Sequence, residues 1–225
     1  MSRASKRQPL DRESIVRAAF ALADESGLSG LSMRRLADSL GVTAMALYKH
    51  VAGRDQLLDL MVDHLVEQIG GTTPDGNHWT DQLRARILAA RQAMSTHAWA
   101  QEAIETRTVV SPPVLAYMDG LMSIMFDGGL SADLVHHAMH TLSTRMWGFT
   151  RDVLPTPAAP DDPDERAKAV TAFTNSYPSI MRMASTAPRA GSNCDDDAEF
   201  AFALDLMLDG FERLHLSGWS SARSE

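Results

Sequence analysis

The chain has 225 residues, enough to bury a proper core in one large domain or two modest ones without a disulfide or metal staple. Its 44% hydrophobic and 22% charged residues are those of a soluble globular protein, and its single cysteine, Cys194, excludes an intrachain disulfide. No apolar run follows the basic N-terminus as a signal peptide would, and none approaches a membrane span, so no membrane partner is expected and the cytoplasm is the expected compartment.

The net charge of −8 argues against nucleic acid until its distribution is read: residues 1–60 carry a net +2 and residues 61–225 a net −10. An acidic body repels DNA and leaves the N-terminal face as the one able to dock.

Taken in chain order, almost every segment has helical periodicity, and no run alternates as a strand would. Asp11 caps a first helix to about Ser26, with Ile15, Ala19 and Leu22 inward and Gly27 at its end. Ser32 caps a short second helix that stops at Gly41, and Thr43 caps a third over Ala44–His50. A fourth runs from about Arg54 to Gln68, and the turn-forming TTPDGN at 72–77 is the expected hinge. Further helices are expected from Thr80 to His97, in short pieces to Glu105, from Pro112 to Gly128, and from a Ser131 cap to Asp152. Residues 155–164 and 187–197 read as loops. Between them a helix spans Glu165–Ala184 with a break at Pro178, and a last one spans Ala198–Leu216. The fold class is all-α: a three-helix N-terminal domain over 1–60, with 1–10 a flexible basic arm, and a larger helical domain over 61–225.

Residues 34–51 read RRLADSLGVTAMALYKHV. Leu36, Ala37 and Leu40 share one face, Gly41 suits a left-handed turn, and Val42 and Leu47 continue the apolar side beyond it. This is the pattern of a helix-turn-helix, and also of an ordinary helical hairpin. The stretch from Asp11 to Met61 resembles the DNA-binding domain of the TetR family: LGV, then LYKHV five residues later, then Arg54 and Leu57-Leu58. The segment HWTDQLRARILAARQAMSTHAW and the closing FAFALDLMLDGFERL resemble the regulatory domain of the subgroup that includes the tetracycline repressor.

On that resemblance the third helix lies in a major groove. Thr43, Ala44, Met45, Ala46, Tyr48, Lys49 and His50 then contact bases or backbone, and Arg34 and Arg54 hold the groove edge or phosphates. Arg3, Lys6 and Arg7 offer either a groove-tracking arm or a disordered tail. The expected partners are double-stranded DNA carrying a palindromic operator, a second copy of the chain and a small-molecule effector. The dimer surface is expected on Leu134, Leu142 and Phe149 of one helix and on Phe200, Leu204, Met207, Leu208, Phe211 and Leu214 of the last, with Phe202, Leu206 and Leu216 widening it. The alternative is that both stripes are buried within one chain.

Met94, Trp99, Met118, Met122, Met125, Met146, Trp147 and Met181, with His140, are candidate effector-pocket residues, because methionine adapts to bulky apolar ligands; methionine is also ordinary core filler. In the tetracycline repressor a histidine reaches the drug-bound metal; the matching stretch here, QEAIETR at 101–107, has none, so tetracycline–magnesium is not the expected effector. His136 and His140 are four apart on a helix, but no HExxH pattern or third ligand accompanies them. No G-x-S-x-G, P-loop or dinucleotide fingerprint occurs, and Cys194 beside Asp195–Asp197 is a poor nucleophile. No catalytic residue, metal or cofactor is therefore expected. The competing readings are a helical adaptor and, behind it, a histidine-metal enzyme.

Overall fold

The computed structural model describes residues 10–70, 76–107, 110–146, 161–186 and 195–223. Eleven α-helices and no strand occur among them. They fall into two compact units, one built from residues up to 147 together with those from 207 onward, the other from 148–206.

In the first unit, α1 (Arg12–Gly30) starts at a capping box. The Ser14 N–H donates to Asp11 Oδ1 at 2.7 Å, and the Asp11 N–H donates to Ser14 Oγ at 3.1 Å. Gly27, at φ +66°, kinks the helix where an end was expected, and a further turn carries it to Gly30. Helix α2 (Met33–Leu40) is capped by Ser32, whose Oγ accepts from the Arg35 N–H. It stops at Gly41 (φ +65°), whose N–H donates to the Asp38 carbonyl while the Val42 N–H reaches Ala37. Helix α3 is only Ala44–Leu47, shorter than the Ala44–His50 expected; residues 48–50 continue as turns because the His50 and Val51 N–H groups both return to the Leu47 carbonyl.

Helix α4 (Arg54–Gly70) runs through position 60 without a break and buries Leu57, Met61, Val62 and Leu65. Against it pack α5 (Trp79–Thr96), α6 (Ala100–Glu105) and α7 (Pro112–Asp127). Helix α8 (Ala132–Met146) packs on α7, and the Ser131 hydroxyl accepts from the Leu134 N–H as its cap. Leu83, Ile87, Leu121, Met125, Leu134 and Leu142 form a fully buried core in this part. Each such side chain contributes roughly 1.5–3 kcal/mol of apolar burial.

In the second unit, α9 (Pro163–Ser176) is capped by Asp162, which accepts from the Asp164 and Glu165 N–H groups. It meets α10 (Pro178–Thr186) at the break expected from Pro178, since proline cannot continue the hydrogen-bond ladder. Helix α11 (Asp196–Leu216) begins with an Asp195 cap on the Ala198 N–H; its residues from 207 onward belong to the first unit, where Trp79 Nε1 donates to Glu212 at 2.8 Å. No described helix is long and apolar enough to cross a membrane. Arg3, Lys6, Arg7, the 72–75 hinge, Trp147, Phe149, residues 155–160 and Cys194 lie outside the described residues.

Candidate functional site

The turn at Gly41 fixes which side chains of α3 face outward. Leu47 is completely buried and Val51 nearly so, and α3 packs on α2. The opposite face is presented to solvent: Met45 is 72% exposed, and Thr43, Lys49 and Arg34 are exposed. Ala44, Ala46 and His50 are half-buried. Tyr48 is 47% exposed.

The two adjacent arginines have divided roles. Arg35 Nη1 donates to the Gly30 carbonyl at 2.7 Å and to Ser26 Oγ at 3.3 Å, clasping the end of α1 to the start of α2. A Cβ on Gly30 would collide with Ser26 and with that guanidinium, so the clasp needs glycine there. Arg34 is exposed and has no part in that clasp. Arg54 is also exposed, yet its Nη2 holds the Leu28 carbonyl at 3.1 Å. That bond orients the guanidinium at the N-terminus of α4, where the helix dipole adds to its positive field. The outward group can therefore offer thymine-methyl contacts (Met45, Ala44, Ala46), polar contacts to base edges (Thr43, Lys49) and cationic contacts to phosphate.

The second feature is an apolar cavity of about 260 Å³ bounded by α4, α5, α6 and α7. Val62, Leu65, Val66 and Ile69 come from α4, and Met94, Arg107, Tyr117 and Met118 are among the other residues that line it. Arg107 bridges to α4: its Nε lies 3.2 Å from Asp59 Oδ1 and its Nη2 3.1 Å from Asp63 Oδ1, while the Ser111 hydroxyl donates to the same Asp63 oxygen at 2.5 Å. Burial pushes the Tyr117 phenol up to about 12, the Arg86 cation pulling weakly the other way. Arg107 was not singled out from the sequence, although it closes the very stretch, QEAIETR, in which a histidine was missing.

The sequence-selected pocket residues scatter. Met94 and Met118 line this cavity. Met118, Met122 and His140 line a more open cleft of about 310 Å³ with His136. Met125 is fully buried in the core, and Trp99 is buried with its Nε1 donating to Asp24 at 2.7 Å. Met181 is half-buried on α10; Trp147 falls outside the described residues, and Met146 is placed only as the end of α8.

The dimer candidates are sorted by burial. Leu134, Leu142, Phe200, Leu204, Leu208 and Phe211 are buried within the single chain, and Met207 and Leu214 are half-buried. Phe202, Leu206 and Leu216 are the exposed ones, at 62, 57 and 75%. His136 and His140 stack edge-on at 4.6 Å, and among the described residues no group of three acidic, histidine or cysteine side chains could hold a metal ion.

Two family models match the chain: the tetR family of bacterial regulatory proteins over residues 15–61, and the tetracyclin repressor-like C-terminal domain over residues 73–215. The class C tetracycline repressor of Escherichia coli is 28% identical over 211 residues, 92% of this chain and 93% of its own. An HTH-type transcriptional repressor of Streptomyces coeruleorubidus is 33% identical over 123 residues, 54% of this chain and 45% of that one. Among solved structures, a possible TetR family transcriptional regulator from Streptomyces coelicolor A3(2) is similar with a TM-score of 0.70 at 28% identity, over 91% of this chain and 100% of that one. With a matching family model over well more than half its length, beside an N-terminal match that covers the helix-turn-helix, the chain belongs to the TetR family of transcriptional regulators.

Proposed function

We propose that the chain is a cytoplasmic, ligand-responsive repressor that binds a palindromic operator as a homodimer and is released by a small apolar effector. Residues 1–60 would read DNA, and residues 61–225 would bind the effector and dimerise. The observation that carries the reading is the exposed group on α3 and the turn that follows it, Met45, Tyr48 and Lys49, with Arg34 exposed on α2 and Leu47 buried. One such helix makes too few contacts for tight specific binding, so two are needed at a spacing of roughly 34–36 Å or a multiple of it. We assign the dimer contact to the outer side of α11, where Phe202 and Leu206 are exposed and the space over Gly210 is open to a second helix.

The mechanism follows from α4. It begins at Arg54, bonded to the end of α1, and continues into the wall of the cavity through Val62, Leu65 and Val66. An effector that binds better to a second placement of α4 lowers operator affinity by that difference and by no more. The name of the class C tetracycline repressor supports a small-molecule effector for this fold.

The test is binding of the purified full chain to a random-sequence DNA pool and then to the selected site, over a salt series, for wild type and Tyr48→Ala/Lys49→Ala. A palindrome bound by two chains, with affinity falling steeply with salt and at least roughly tenfold weaker in the double variant, is the expected result. If selection yields no preferred sequence, the repressor reading fails and a helical adaptor takes its place.

A further inference from the structure

The open cleft of about 310 Å³ between α7 and α8 is lined by two imidazoles and three thioethers. His136, Met139, His140 and Ser143 stand at i, i+3, i+4 and i+7 along α8 and so share one of its faces, and Met118 and Met122 come from α7. His136 and His140 are exposed, and neither ring makes a hydrogen bond or an ion pair among the described residues. His137, beside them, is engaged elsewhere, its Nε2 3.7 Å from Asp133 Oδ1 and its ring 5.4 Å from that of Trp219.

The two rings have the separation of a chelate. An imidazole nitrogen about 2.0 Å from a metal puts its ring centre roughly 3.2 Å away, so two rings bound at about 90–110° have centres roughly 4.5–5.2 Å apart. The centroids of His136 and His140 are 4.6 Å apart. With both rings exposed and without partners, no existing bond has to break for their nitrogens to turn onto one ion.

The other residues of the cleft decide which ion. Its lining holds no carboxylate, the ligand that magnesium and calcium require. Among the described residues no third imidazole, thiol or carboxylate completes a set of the kind zinc takes. What the cleft offers beside the imidazoles is methionine sulfur, a soft donor that selects monovalent copper. Met139 shares the α8 face of both rings, and Met122, half-buried, brings a second sulfur from α7.

We propose that this cleft binds copper(I), chelated by His136 and His140 and completed by the thioethers of Met122 and Met139. It does so whether or not the cavity bounded by α4 to α7 takes an effector.

The test is an anaerobic titration of the full chain with copper(I) supplied as its complex with bicinchoninate, a coloured copper(I) chelator. Every protein carries Cys194→Ser, because a thiol is itself a copper(I) ligand. One copper per chain is expected to pass to the protein. X-ray absorption at the copper edge should then show nitrogen and sulfur neighbours together, the sulfur at roughly 2.3 Å. His136→Gln/His140→Gln should bind at least roughly tenfold more weakly, since even the groups that orient a metal ligand are worth roughly 10–100-fold in affinity. Met122→Leu/Met139→Leu should lose the sulfur neighbours and weaken copper(I), while its binding of zinc, already weaker than that of copper(I), stays as in the parent. The absorption spectrum needs neither variant, so a variant that failed to fold would not shelter the proposal. Retention of all the copper by the chelator, a spectrum without sulfur, undiminished affinity in either folded double variant, or zinc bound as tightly as copper(I) would each overturn it.

Discussion

Tyr117 lies 5% exposed on α7, its ring 5.4 Å from the Arg86 guanidinium carbon and its hydroxyl 3.4 Å from the Arg86 carbonyl. Burial is the larger influence on its phenol, and it raises the titration from 10.0 to about 12. The unfolded chain therefore ionises first. The stability from this group is fully present below about pH 10 and is lost as the pH climbs to about 12. A displacement of that size corresponds to roughly 2–3 kcal/mol at the alkaline end. Urea melts between pH 9 and 11.5 are expected to show this fall in wild type and not in Tyr117→Phe, which keeps the ring and has no proton to lose. Parallel curves for the two proteins would mean that burial does not hold the phenol. At this scale the sequence was only partly legible. Met45 and Lys49 read as outward because helical spacing with Leu47 puts them there. Arg107 could not be read, because its partners Asp59 and Asp63 are more than forty residues away and only the packing of α6 against α4 brings them together. The same holds for Leu208 and Phe211: an apolar stripe looks alike whether a neighbouring helix of its own chain or a second chain covers it.

Helices α2 and α3 meet through one glycine. Gly41 adopts φ +65°, and a Cβ built on it would meet nothing within 4 Å, so the cost of a side chain there is backbone strain alone. Gly41→Ala is expected to destabilise the chain by about 1–2 kcal/mol, and Gly41→Asn by less, because asparagine tolerates the left-handed region better. The urea midpoint should fall with an unchanged m-value. A midpoint equal to wild type for Gly41→Ala would show that the turn is not strained and that another contact sets the crossing of α2 and α3. Turns and caps of this kind were the most legible elements, since Asp11, Ser32, Gly41, Ser131 and Pro178 act within one turn of their own positions. The misjudged ends share a cause. Gly27 permits a kink as readily as a stop, and α3 ends early because Leu47 receives two N–H groups that a continuing helix would distribute. Helix α5, expected from Thr80, starts at Trp79 behind a His78 cap that accepts from the Thr80 N–H, a use of histidine that residue preferences do not favour.

For the whole molecule, the question is whether the DNA-reading helices are an appendage or part of one cooperative body. Phe20 of α1 is met edge-on by His64 of α4, by His97 after α5 and by Trp99 before α6, with ring centroids 5.2, 5.3 and 4.8 Å away. Asp24, one turn on, accepts from both His97 Nδ1 at 2.8 Å and Trp99 Nε1 at 2.7 Å through the same oxygen. Trp99 is 3% exposed, so removing its acceptor strands a buried donor and costs about 1–3 kcal/mol. That contact, with α4 running unbroken from Arg54 to Gly70, ties α1 to the helices that line the cavity. Hydrogen exchange on the wild-type chain is therefore expected to give the slowest amides of α1 and α2 the same opening free energy as those of α5 and α7. In Asp24→Ala the α1–α2 amides should fall below the others, whereas Asp24→Asn, which keeps an acceptor for the indole, should separate them much less. If the N-terminal amides of wild type already open far more easily than those of α5, the two parts are only tethered. The α4 route from cavity to DNA face would then lack the rigidity it needs, because a shift at Val62 or Leu65 moves Arg54 only if the body between them opens as one.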